Sequence, residues 1–181
     1  MEIRLAAPDE VPEAISIIHE CGVFMRDQFE VPDWLLPGIP ATLAADASAA
    51  RLFVITDAGA IIGTFALCDV PDPYYADISW EEPEGPASYL HRFAVTGRYQ
   101  NRGIGGQALG FMEDLLRRRR RHWLRLDATE RDSRAMAFYE RAGYARRGIA
   151  RIPIPLPAHP DVRVVCYEKR LGPAPHQLPG R

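Results

Sequence analysis

Gln100-Asn101-Arg102-Gly103-Ile104-Gly105-Gly106 is the stretch of this chain best suited to chemistry. It stands between a β-rich run and an amphipathic helical pattern, so a helix opens on glycines. The first N–H groups of a helix have no intrahelical partner, and the macrodipole makes that end positive. A phosphate or diphosphate placed there is held by both effects. Glycine lets the anion approach the backbone closely and permits positive φ in the turn. The same residues also serve as plain punctuation before a helix, and on the turn alone both readings stand. A dinucleotide fingerprint needs three spaced glycines after a first strand, and a P-loop needs a following Gly-Lys-Ser/Thr; neither is present.

The elements around the turn set where it can act. Residues 2–6 alternate polar and apolar and predict a strand. Pro8-Asp9-Glu10 then opens a helix carrying Val11, Ala14, Ile15 and Ile18 at helical spacing. A second helix is expected over residues 39–50. Between the two lies Phe24-Met25-Arg26-Asp27-Gln28-Phe29, then Trp34, read as an aromatic cluster in a proline-bearing connection. Residues 51–56 and 61–67 predict strands joined by hairpin chemistry at Asp57-Ala58-Gly59-Ala60. Residues 70–86 are acidic and proline-punctuated, a long loop, and residues 87–95 are the next strand. Ile104, Ala108, Phe111, Met112 and Leu115 form one face of the helix after the glycines. A strand at 123–128, a helix at 133–142 and strands at 144–149 and 161–170 complete the pattern. The prolines of residues 151–160 require an extended segment. The order β-α-α-β-β-β-α-β-α-β-β predicts one α/β domain over residues 1–170 with a loose tail at 171–181.

Composition narrows the class. The 181 residues carry 22 basic and 24 acidic side chains, a net charge of −2, which gives no electrostatic case for nucleic acid or an anionic membrane. Lys169 is the only lysine, a compositional habit. Cys21, Cys68 and Cys166 are far apart and form no CxxC pair, so neither a metal site nor a redox dithiol is expected. With no apolar signal core and no membrane-length run, the expected location is the cytoplasm.

Three segments in order carry a resemblance: Tyr89-Leu90-His91-Arg92-Phe93-Ala94-Val95, the Q-x-x-G-x-G of residues 100–105, and Asp132-x-x-Ala135-x-x-Phe138-Tyr139-Glu140-x-x-Gly143-Tyr144. Together they resemble the GNAT superfamily of N-acetyltransferases over about residues 88–148. The first segment is similar to the His-x-His-x-Leu-Ala-Val strand of the serotonin N-acetyltransferases, with His91 at the second histidine. The resemblance implies a central mixed β-sheet flanked by helices, whose fourth strand bulges and splays from the fifth. It implies acetyl-CoA as co-substrate, lying along Phe93, Ala94 and Val95, with its pyrophosphate on Gln100, Asn101, Arg102, Gly103, Ile104, Gly105 and Gly106. Asp132 stands where the family commonly has Asn, and it serves equally as a helix cap.

The resemblance makes Tyr139 the general acid for the leaving thiolate, whose thiol has a pKa near ~8.5; a core aromatic pair with Phe138 is the other reading. His91 is the candidate base, because histidine titrates near ~6.5 and an ammonium acceptor must lose a proton. Period-two alternation puts Tyr89, His91, Phe93 and Val95 on one face, although a structural histidine bonded to a carbonyl fits as well. Carboxylates and aromatics at Asp72, Tyr74, Tyr75, Asp77, Trp80, Glu81, Glu82 and Glu84 suit either a cationic acceptor or a surface loop. Arg117–Arg121, at ~1.5 Å per residue roughly 20 Å from the glycines, reads as a solvated helix end.

The expected activity is direct acetyl transfer to a primary amine, with a small-molecule acceptor and no covalent enzyme intermediate. No nucleic-acid or membrane partner is expected, and the chain is read as a monomer or homodimer. A catalytically weak acyl-CoA-binding module and an acetyltransferase acting on a protein or aminoacyl-tRNA amine are the alternatives.

Overall fold

The computed structural model describes residues 1–156 and 159–172, so most of the tail expected at 171–181 lies outside the described residues. Strands β1 (Glu2–Leu5), β2 (Leu52–Asp57), β3 (Ala60–Cys68), β4 (Ala87–Val95), β5 (Trp123–Thr129), β6 (Ala145–Leu156) and β7 (His159–Arg170) form one sheet. Its order is β1-β2-β3-β4-β5-β7-β6. Every pairing is antiparallel except β4 with β5. Helices α1 (Val11–Phe29) and α2 (Ile39–Ser48) cover one face, and α3 (Ile104–Arg118) and α4 (Ser133–Arg141) cover the other. This is the mixed α/β arrangement the element order implied. Among the described residues no helix is long and apolar enough to cross a membrane.

Three elements differ from the sequence reading. The aromatic cluster at 24–29 belongs to α1, which runs unbroken to Phe29: Pro12 lies in its first turn, where no N–H is needed, and Gly22 is carried through buried in the helix. It stops at Glu30, whose φ of 57° is left-handed. Residues 151–156, expected as a mere extended segment, continue β6 despite Pro153 and Pro155. They are tolerated because β6 is an edge strand whose pairing with β7 is interrupted between Pro153 and Leu156. Nor are residues 70–86 a simple surface loop. Tyr75, Ile78 and Trp80 are buried against Tyr89, Trp123 and Val164 on the α1/α2 side of the sheet.

Arg125 on β5 anchors that folded loop. Its guanidinium donates to the Glu82 carbonyl at 2.6 Å, to the Tyr89 hydroxyl at 3.0 Å and to Glu168 at 3.2 Å, and it lies 4.7 Å from the Trp80 ring centroid. Both charges of the Arg125–Glu168 pair are fully buried. Arg147 adds a second cation 2.6 Å from Glu168. On the other face, Glu113 of α3 accepts from the Tyr144 hydroxyl at 3.2 Å and from Lys169 at 2.8 Å, tying β7 to α3.

Two departures from regular pairing shape the middle of the sheet. β4 and β5 pair only from Ala87–Trp123 to Leu90–Leu126, then part. Opposite β3, β4 carries one extra residue between His91 and Ala94, and Arg92 there has a φ of 50°. Left-handed backbone is unfavourable for a residue with a side chain. Arg92 is held in it by Asp46 of α2, 3.1 Å away, which also takes Arg51 at 2.9 Å.

Removing one member of the buried pair strands the other. Arg125→Met is expected to cost about 3 kcal/mol, the low end for a broken buried pair, since Arg147 remains beside Glu168. The measurement is a lower urea midpoint at unchanged slope.

Candidate active site

The bulge reverses the face on which β4 side chains lie. Tyr89 and His91 point to the α1/α2 side, opposite Cys68 and Ala66. Phe93 and Val95 point to the α3/α4 side, where Phe93 meets Phe65 edge-on at 6.2 Å. The expectation that all four share one face is therefore corrected. Strict alternation fails because the extra residue at Arg92 shifts the pleat by one.

Where β4 and β5 part, a cleft of about 1180 Å³ passes between them and is lined from both faces. From the α3/α4 side come Phe93, Val95, Ala128 and Tyr139, together with Gln100, Asn101, Gly103, Gly105 and Gly106. From the other side come Ala94, Asp127, Asp33 and Trp34. Ile104 is instead in the core, and Arg102 lies against the Tyr99 ring at 5.3 Å. At the end of β4, Thr96 N–H bonds the Ile62 carbonyl, so the polar groups of Val95 point the other way, toward the cleft. The Val95 carbonyl already accepts from Gln100 Nε2 at 3.0 Å.

The glycines of the loop serve different ends. Gly103 has a φ of 78° and caps α3, and Asn101 before it has a φ of 59°. Alternating backbone of this kind forms concavities lined by N–H groups. The first helical bond of α3 runs from Gln107 N–H to the Gly103 carbonyl, which leaves the N–H groups of Ile104, Gly105 and Gly106 without an intrahelical acceptor. A Cβ at Gly105 would sit 3.1 Å from Phe138, so that glycine lets α4 approach α3. A Cβ at Gly106 would meet nothing within 4 Å.

Asp132 caps α4, accepting from the N–H groups of Arg134 at 3.0 Å and Ala135 at 3.1 Å, and also borders the cleft. Tyr139 is buried between Phe138, Tyr144 and Tyr167 and reaches the cleft wall. Burial first, then the negative fields of Asp127 and Asp132, raises its phenol above the ordinary range. His91 is mostly buried and does not line the cleft; its Nδ1 is 3.7 Å from Asp72. Burial lowers its pKa, opposed by Asp127 and Asp72.

Asp127 is the residue that sequence reasoning missed. It sits one position past the last β4–β5 pair, on the His91 face. The hydroxyls of Tyr74 and Tyr75 both donate to its Oδ2, the former at 3.2 Å. Burial raises its pKa, and the two tyrosine bonds and His91 oppose the rise. In Leu124-Arg125-Leu126-Asp127-Ala128 two charges alternate with leucines, and that was a visible signal, since a charge facing a sheet interior needs a partner.

Gly106→Glu tests the loop, because the side chain has room while its charge falls on the unpaired N–H groups. Calorimetry is expected to show the acetyl-CoA binding that the resemblance implies lost and the melting temperature kept.

Comparison with known proteins accords with this geometry. No curated protein matches the chain in sequence. Solved structures share its fold nearly end to end. A GNAT-family acetyltransferase from Listeria monocytogenes is 20% identical over 94% of each chain, with a TM-score of 0.72. Another from Streptococcus agalactiae is 19% identical, covering 93% of this chain and 94% of that one, with a TM-score of 0.74. The ribosomal-protein-S18-alanine N-acetyltransferase of Escherichia coli is 20% identical, covering 98% of this chain and 97% of its own, with a TM-score of 0.68. The profile of the acetyltransferase (GNAT) family matches residues 18–144, and the chain belongs to that family.

Proposed function

We propose that residues 1–170 form one N-acetyltransferase unit that moves an acetyl group from acetyl-CoA to a primary amine by direct attack. The observation that carries this reading is the cleft through the parted strands, with free helix N–H groups at one end and the Tyr139 ring along its wall. The co-substrate fits these residues. Unpaired N–H groups suit its diphosphate, and the outward-facing polar groups of Val95 suit an extended amide-bearing arm. When bound, it supplies an activated acetyl thioester.

The chain's own groups do the rest. Tyr139 is protonated at neutral pH, since its pKa is raised, and it gives that proton to the sulfur as the C–S bond breaks. An acceptor that arrives as an ammonium first loses one proton, by way of water, to His91 and on to solvent, which frees the lone pair for attack. Once the C–N bond has formed the nitrogen loses a second proton, which re-protonates Tyr139, so each turnover releases one proton. His91 is poised for this because its lowered pKa keeps it neutral. It matches the second histidine of the motif strand that resembles the serotonin N-acetyltransferases.

Two measurements test the assignment. Tyr139→Phe keeps the ring and its packing, so kcat is expected to fall by about 10²- to 10⁴-fold with KM for acetyl-CoA nearly unchanged. Wild-type kcat, with chemistry rate-limiting, counts against the acid role. The acidic limb of kcat/KM is expected below the usual ~6.5 of histidine, since activity rises as His91 loses its proton. His91→Ala is expected to abolish that limb, and a limb that survives leaves His91 structural.

A further inference from the structure

On the acetyltransferase reading, the glycine loop and Tyr139 commit the α3/α4 side of the cleft to the acetyl donor. The acceptor then arrives from the α1/α2 side, where Asp127, Asp33 and Trp34 line the wall. Among the described residues, neither carboxylate there has an ion-pair partner. Both tyrosine bonds to Asp127 land on Oδ2, leaving Oδ1 for another donor. Asp33, in the short turn Asp33–Leu35 after α1, has its Oδ1 buried with no hydrogen-bond partner among the described residues. Burial, then the charge of Asp127, pushes the Asp33 carboxyl up to about 6. Arg92, whose charge also acts on Asp33, turns its guanidinium onto Asp46 instead.

Asp33 is offset only by the backbone N–H groups of its own turn and the more distant Arg92, and Asp127 by His91 and two phenols. A buried acceptor and two carboxylates so placed in one cleft favour a donor that carries positive charge. An alkylammonium brings three N–H donors on one compact cation. The aromatic ring of Trp34, which lines the same wall, adds attraction for it. The same field repels an acceptor with a carboxylate next to its nitrogen.

We propose that the acceptor is a cationic primary alkylamine without a neighbouring carboxylate, and that Asp127 and Asp33 hold its ammonium group at the gap between β4 and β5. The competing account makes Asp127 only an acceptor for two tyrosines. Asparagine would serve there unchanged, because its side-chain oxygen takes the same two bonds.

Calorimetric titration with 2-phenylethylamine, without acetyl-CoA, tests the site apart from the reaction, with L-phenylalanine as the carboxylate-bearing control. Wild type is expected to bind the amine and to bind phenylalanine at least about tenfold more weakly. Asp127→Asn and Asp33→Asn are each expected to weaken amine binding by about 10- to 100-fold, at unchanged acetyl-CoA affinity and melting temperature. Asp33→Asn, in a short turn, keeps the test decisive if Asp127→Asn does not fold. No binding of the amine at millimolar concentration, equal affinity for phenylalanine, or unaltered affinity in the folded variants overturns the proposal. Amine binding by a protein that does not bind acetyl-CoA supports the ammonium site and counts against the acetyltransferase reading.

Discussion

Parallel pairing between β4 and β5 ends at Leu90 and Leu126, and the backbone beyond that point has to be kept from closing again. Unpaired strand edges inside a sheet are unstable, since each buried N–H or carbonyl left without a partner costs free energy. Here the gap is held open from both sides. The bulge at Arg92 turns β4 away, and Asp46 fixes the arginine that would otherwise relax it. β5 runs straight on because β7 pairs with it as far as Thr129. Gln100 takes up one of the carbonyls exposed by the parting.

The two faces of the sheet are built from different materials on either side of that gap. Under α3 and α4 the packing is aliphatic and aromatic, and the charged cluster around Glu113 lies toward its far end. Across the sheet, Arg125, Glu168 and Arg147 bury charge to hold a loop in place, and Asp127 takes two phenol hydroxyls. Breaking such charges apart is costly even where forming them adds little. The polar face therefore has a fixed shape.

What the sequence disclosed follows from local periodicity. The amphipathic pattern of α3, the Asp57-Ala58-Gly59-Ala60 hairpin and the glycine turn are written in neighbouring residues, and the order of elements came from them. The bulge was not legible at Arg92 itself, because left-handed backbone usually advertises itself as glycine or asparagine and an arginine there gives no sign. That hidden residue is why alternation put His91 and Phe93 on one face. The role of Asp127 was equally hidden, since its partners Tyr74 and Tyr75 come from a loop more than fifty residues earlier. The burial of Tyr75 and Trp80 was not legible among the acids and prolines around them, because their partners Tyr89, Arg125 and Asp127 lie on distant strands.

The tie between Lys169 and Glu113 has a consequence for self-acylation. Thioesters modify neutral amines without any catalyst, and a protein that handles them keeps its own side-chain amines at risk. This chain has one such amine, and it is occupied: Lys169 donates to Glu113 at 2.8 Å and to the Ala142 carbonyl at 2.9 Å. Elsewhere the side-chain cations are overwhelmingly arginine guanidinium, which stays protonated and is a poor nucleophile. On the proposed reading, an acetyl group that escaped the cleft would therefore meet no ready lysine on this chain.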